Sequence, residues 1–146
     1  TTEGEVLTLP VEQMGMGYRT SIVSRMDYVV LEASLALSRG DKEVIRARMD
    51  ELKQKRVSRQ PLEFGSAGST FKRPEGYFAG KLIEDAGLRG FRIGDAQVSE
   101  KHCGFVINRG KATAAEVREL MEEVIRRVEE NSGVRLEPEV RRIGEF

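Results

Sequence analysis

The sequence predicts an α+β fold. Three observations carry that expectation. Apolar and β-branched residues alternate through much of residues 4–38, the period lengthens abruptly after Gly40, and an amphipathic stretch with capping signals follows Lys111. A period of two suits a strand with one buried face, whereas a period near 3.6 suits a helix laid against a core.

Taken in order, "GEVLTLP", "YRTSIVSR" and "DYVVLEASLALS" each read as strands, with "MGMGYR" as the break. In the third, Val29, Leu31, Ala33, Leu35 and Leu37 share one face. "GDKEVIRARMDELKQKRVSR" then predicts a helix with Asp41 as N-cap and Ile45, Met49 and Leu52 turned to a core. Arg56 continues that stripe and Arg59 follows, so the helix ends in cations. A glycine-rich loop, "GSAGSTFKRP", leads to a second helix from Pro74 through "EGYFAGKLIEDAG", closed by Gly87. "FRIGDAQVS" and "CGFVINRG" predict short strands joined by a polar hinge at residues 99–102. Thr113 and Glu116 stand at capping-box spacing before the clearest helix, whose apolar face is Val117, Leu120, Met121, Val124, Ile125 and Val128. That helix stops at "NSG", and "VRLEPEVRRIGEF" alternates like a strand. A seam is expected near residues 60–64, dividing the chain into residues 1–59 and 60–146.

Composition excludes several functions. The 24 basic and 24 acidic side chains cancel, so no global field draws the protein to nucleic acid or anionic lipid. No apolar run approaches a membrane span. The single cysteine, Cys103, allows no intrachain disulfide and suits a reducing, cytoplasmic setting. One histidine and one cysteine, adjacent at His102 and Cys103, do not make a zinc site, so no metal is expected. Lys72 follows Phe71 rather than a glycine, which rules out a Walker loop, and "MGMGYR" holds only G-x-G. No G-x-S-x-G elbow surrounds Ser66 or Ser69, leaving a serine hydrolase without support.

What remains at residues 65–74 is an arrangement suited to anions. Backbone N–H groups of a glycine-rich turn form a nest, hydroxyls at Ser66, Ser69 and Thr70 add donors, and Lys72, Arg73, Arg56 and Arg59 add charge. Read from spacing alone, a solvated surface turn explains the same residues.

The motifs "SAGSTFKRPEGYFAGKLIEDAGL", "VSEKH", "FVIN" and "LEPEVRRIG", with "GYRTSIV" and "RVSRQP" upstream, occur in order across essentially the whole chain. Together they make it resemble the UDP-N-acetylenolpyruvoylglucosamine reductases, flavoenzymes of bacterial peptidoglycan synthesis. The likeness is to the family's C-terminal half. It implies the end of a flavin-binding α+β domain over residues 1–59, then a mixed α/β substrate-binding domain over 60–146. The start at "TTEGEVLTLP" is expected to reflect a fragment lacking the N-terminal FAD-binding portion and inactive alone. Only "SRGD" separates the third expected strand from the helix, which matches the shorter subclass.

The resemblance implies that NADPH reduces FAD and that hydride passes on to UDP-N-acetylglucosamine enolpyruvate, giving UDP-N-acetylmuramate. It implies Ser69 as the proton donor, Arg19 as stabiliser of the enolate-like intermediate and Glu139 as its assistant. Tyr18 and Arg19 are implied near the flavin. Arg56 and Arg59 resemble substrate contacts, Lys72 and Arg73 border the nucleotide-sugar site, and His102 touches the sugar. Two positions depart from the family pattern: Asp95 stands where relatives usually have a second glycine, and Met16 where phenylalanine is commoner. Each role has a plainer competitor: a turn hydroxyl for Ser69, a sheet ion pair for Arg19, an edge carboxylate for Glu139, a solvated helix end for Arg56 and Arg59. A non-catalytic UDP-sugar-binding module is the alternative for the whole chain.

Overall fold

The computed structural model describes residues 1–144. The chain divides into two compact units, Thr1–Asp41 and Lys42–Phe146. Its elements are helices and one antiparallel sheet, an α+β architecture as the sequence predicts.

The first unit contains a 3-10 turn at Val11–Gln13 and a short helix α1 at Ile22–Arg25. The strands expected at "GEVLTLP", "YRTSIVSR" and "DYVVLEASLALS" are not formed, and part of the second is α1 itself. A strand exists only through hydrogen bonds to a neighbour. The one strand-like pairing among the described residues of this unit is a bridge between Gly17 and Thr20, which closes a turn on itself. The alternating residues therefore stay uncovered, with Leu37 85% exposed and Val29, Leu31 and Leu35 close behind.

The second unit opens with helix α2, Lys42–Arg59. It forms where expected, but no residue of it is buried. Ile45, Met49 and Leu52 are each about half exposed, so the stripe meets no core among the described residues. Charged neighbours one turn apart, Arg48–Glu51 and Lys55–Glu51, support it locally.

Beyond α2 lies the true core. Four strands, β1 (Gly65–Ser69), β2 (Arg92–Ile93), β3 (Ala96–Val98) and β4 (Phe105–Asn108), assemble in the order β1-β4-β3-β2. All three pairings are antiparallel. Helices α3 (Ala79–Asp85) and α4 (Ala114–Ser132) pack together, and α4 lies against β2 and β3. Leu82 and Ile83 from α3, with Leu120, Met121, Val124 and Val128 from α4, bury against Ala96, Val98 and Val106. Each large side chain so buried contributes roughly 1.5–3 kcal/mol. The apolar face read from α4 is thus the core face, and its capping box forms as expected: Thr113 Oγ1 accepts from Glu116 N–H while Glu116 Oε2 accepts from Thr113 N–H. Helix α3 starts later than Pro74, because Tyr77 N–H first turns back to the Pro74 carbonyl.

Asp95 finds its explanation here. Ile93 and Ala96 pair across a two-residue turn, and of its two central residues only Gly94 has positive φ, at +55°. Asp95 needs no glycine freedom. Its carboxylate instead accepts from Lys111 N–H at 2.8 Å and pairs with Arg92 at 3.0 Å, tying the β2–β3 turn to the loop before α4.

Gly94 is the tight point. A Cβ there would sit 1.9 Å from Glu116 Oε1. Glu116 can move only by abandoning its cap on Thr113. Gly94→Ala therefore combines left-handed strain with a lost capping bond, and should destabilise by about 2 kcal/mol in urea unfolding. In a Glu116→Ala background the same glycine change should cost about half as much, since the clash is gone.

The final segment is not the strand expected at "VRLEPEVRRIGEF", whose last residues, 145–146, lie outside those described. It makes an isolated bridge, Phe71 to Pro138, flanked by Lys72 N–H to the Glu137 carbonyl and Glu139 N–H to the Thr70 carbonyl. Proline fits that bridge because the central pair of such a motif exchanges no hydrogen bonds.

Candidate functional site at the β1 bulge

Residues 65–69 form edge strand β1 rather than the expected open loop. The strand is irregular: Gly65 pairs with Asn108 and Ser66 with Ile107, then the register shifts before Ser69 meets Phe105. Gly68 causes the break. Its φ is +89°, yet a Cβ there would touch nothing, so glycine serves backbone conformation and not space. A bulge of this kind re-aims the next side chain.

That local geometry sorts the three hydroxyls. Ser66 Oγ accepts from Gly68 N–H at 3.0 Å. Thr70, only 2% exposed, accepts at Oγ1 from Val106 N–H at 2.9 Å, replacing a carbonyl that the bulge has displaced. Ser69 is exposed, and among the described residues no hydrogen bond engages its side chain. Thr70 N–H donates to the Gly104 carbonyl and Gly68 N–H is already taken, so these amides do not form a nest. The loop's donors serve the fold, and Ser69 alone of the hydroxyls is left over.

Glu139 arrives through the backbone. Its N–H donates to the carbonyl of Thr70 at 2.9 Å, which brings the half-buried Glu139 alongside the residue after Ser69. Lys72 is paired, with Nζ 2.6 Å from Glu137 Oε1. Arg73 stacks its guanidinium 4.1 Å over the Phe78 ring and donates from Nε to the Tyr77 carbonyl.

His102 sits at the hinge before β4. Its ring meets Phe105 edge-on at 5.0 Å, and Phe105 is the strand partner of Ser69. The Gly104 N–H donates to His102 Nδ1 at 3.1 Å, which leaves Nε2 as the protonated nitrogen of the neutral tautomer. Cys103 beside it is buried, and burial pushes its thiol pKa up, which keeps it protonated and inert. Arg56 and Arg59 end α2; Arg56 Nε donates to Gln60 Oε1 at 3.2 Å. Among the described residues no cluster of three metal-ligating side chains occurs.

The remaining residues belong to the first unit. Gly17 and Thr20 exchange both backbone hydrogen bonds, making Tyr18 and Arg19 the corners of a tight turn. Arg19 takes a φ of +55°, where glycine or asparagine is usual, and its guanidinium lies 5.5 Å from the centre of the exposed Tyr18 ring.

The second unit therefore gathers Ser69, Glu139, Lys72 and His102 around the β1–β4 edge, while Arg19 and Tyr18 share a turn of their own. Reasoning from the sequence missed Glu137 as the partner of Lys72. The "EPE" alternation was the available signal, since it puts both glutamates on one side of an extended segment. Thr70 as a buried sheet acceptor had no signal, because it depends on the bulge.

Residues 60–143 match the family model for the UDP-N-acetylenolpyruvoylglucosamine reductase C-terminal domain. A reductase of that name from Lachnoclostridium phytofermentans is 58% identical over 99% of this chain and 47% of its own length. Another, from Agathobacter rectalis, is 57% identical over the whole chain and 46% of its own length. The crystal structure of UDP-N-acetylenolpyruvylglucosamine reductase from Thermus caldophilus superposes with a TM-score of 0.70 at 39% identity. That match covers 87% of this chain and 44% of the other. The chain thus spans about half the length of the relatives it matches.

Proposed function

The chain belongs to the UDP-N-acetylenolpyruvoylglucosamine reductase family, and from that premise we propose that it carries the substrate-protonating part of that reductase. The reaction is the NADPH-dependent reduction of UDP-N-acetylglucosamine enolpyruvate to UDP-N-acetylmuramate, a cytoplasmic step of peptidoglycan synthesis. The observation that carries this reading is the Ser69 hydroxyl: exposed, uncommitted, and held beside the backbone that bears Glu139.

The stretch of the family's length that this chain does not span holds most of the FAD, with Tyr18 and Arg19 contributing from residues 1–59. An exposed aromatic ring beside a guanidinium suits a planar, anionic cofactor. Bound FAD supplies the hydride relay from NADPH to the enolpyruvyl double bond. Ser69 donates a proton to the carbon next to the substrate carboxylate. Arg19 stabilises the enolate charge that develops there, and such preorganised stabilisation is commonly the largest catalytic contribution. Glu139 positions that proton transfer. Arg56, Arg59 and His102 contact the nucleotide sugar, with Lys72 and Arg73 at its border. Residues 60–146 form the substrate-binding domain in this reading.

The test uses the flavin-loaded enzyme at the family's full length. It should consume NADPH only when UDP-N-acetylglucosamine enolpyruvate is present, in equal amounts. A flavin that NADPH reduces but that this substrate never reoxidises would defeat the assignment.

A further inference from the structure

We infer that Lys72 is a positioning residue: its ammonium clamps Glu137 and so fixes the segment that sets Glu139 opposite Thr70, the residue after Ser69. The inference rests on the reaction proposed above and changes what Lys72 does in it, from bordering the nucleotide sugar to holding the protein's own carboxylate-bearing strand.

The contact spans 65 positions of sequence and is made twice over. Lys72 Nζ meets Glu137 Oε1 at 2.6 Å, and Lys72 N–H donates to the Glu137 carbonyl at 2.8 Å. On the far side of the Phe71–Pro138 bridge, Glu139 N–H reaches the Thr70 carbonyl at 2.9 Å. Pro138 has no N–H, so it cannot take the place opposite Thr70 that Glu139 fills, and the ladder cannot slip in that direction.

Among the described residues, these two backbone bonds and the bridge between them are the ladder. A regular strand would share the load among many, but here the segment is pinned at few points. Upstream, Leu136 is 2% exposed in the core. Downstream, Arg142 meets Glu122 on α4 at 3.2 Å. Between those anchors the Lys72–Glu137 ion pair ties side chains across the ladder next to the bridge. It also cancels the charge of Glu137, which alternation places on the same side as Glu139 at the edge an anionic nucleotide sugar would approach. The two side chains are 41% and 71% exposed. A pair so hydrated is weak, and its loss should be read as a change in rate and local opening, not as unfolding.

The experiment compares Lys72→Met, Glu137→Gln and the charge swap Lys72→Glu with Glu137→Lys in the flavin-loaded enzyme. Substrate-dependent turnover should fall about three- to tenfold in kcat for each single change, with KM within about twofold. The swap should recover to within about twofold of the starting kcat, because the ion pair is restored in reverse. Amide hydrogen exchange at Glu139 should speed up several-fold in Lys72→Met and slow again in the swap. If Lys72→Met instead raises KM tenfold while Glu137→Gln is silent, Lys72 binds substrate and the inference is overturned. Unchanged exchange at Glu139 overturns it too. A fully active Glu139→Gln would remove the purpose assigned to the clamp and the reading beneath it, while the exchange result would still report on the clamp itself.

Discussion

Ser69→Ala in the flavin-loaded enzyme should leave reduction of the flavin by NADPH at its normal rate and slow reoxidation by the enolpyruvyl substrate about 10³-fold. In the proposed reaction the two half-reactions share the flavin, but only the second requires a proton on carbon. A hydroxyl is a weak acid, so its value lies in placement, and the bulge at Gly68 supplies placement by turning Ser69 away from the sheet's own hydrogen bonds. The change is unusually clean. Ser69 is exposed and its side chain is bonded to nothing described, so the alanine variant should keep its stability within about 0.5 kcal/mol. Loss of rate would then be loss of chemistry. Stopped-flow absorbance of the flavin separates the two phases. Reoxidation at an unaltered rate would show that another group, or water, delivers the proton, and would leave Ser69 as a turn hydroxyl.

The neighbouring hydroxyls give the internal comparison. Ser66 and Thr70 lie within four positions of Ser69, yet each is spent on a backbone N–H. The sequence shows three equivalent-looking alcohols in "GSAGST"; only the register shift distinguishes them. That is the general pattern of what was legible. Helix α4 could be read in full because its signals are local: a capping box, an apolar stripe at helical spacing and a terminating glycine. The β2–β3 hairpin was not: "FRIGDAQVS" reads as a single strand, because a two-residue turn hides easily within it. The first unit was not legible either. Its alternation is a genuine preference for an extended chain with one covered face, but pairing requires a neighbour, and pattern cannot say where the neighbour comes from. The stripe of α2 failed likewise: Ile45, Met49 and Leu52 are spaced to be covered, and spacing does not supply the cover. At the site, resemblance singled out Ser69 and Glu139, and the hydrogen bond that brings Glu139 to Thr70, the residue after Ser69, joins positions far apart in sequence.

Arg19 is the second residue whose replacement should have a large effect, and its backbone makes the test sharper. In the Gly17–Thr20 turn Arg19 occupies a left-handed conformation that costs a non-glycine residue roughly 1–2 kcal/mol. Arg19→Gly removes that strain, so thermal unfolding should occur at the same temperature or slightly higher. Turnover should nevertheless fall about 10²- to 10³-fold, the usual consequence of removing a donor aimed at developing negative charge. Arg19→Lys retains the charge and the strain but loses the planar fork, and should recover only part of that loss. The two readouts therefore move in opposite directions if the guanidinium acts on the substrate. They move together, or turnover does not move, if Arg19 is merely a turn residue paired on the surface. Strain at a non-glycine corner points toward function only when the side chain is needed there. The glycine variant measures that need directly, because it keeps the turn and takes away nothing but the arginine.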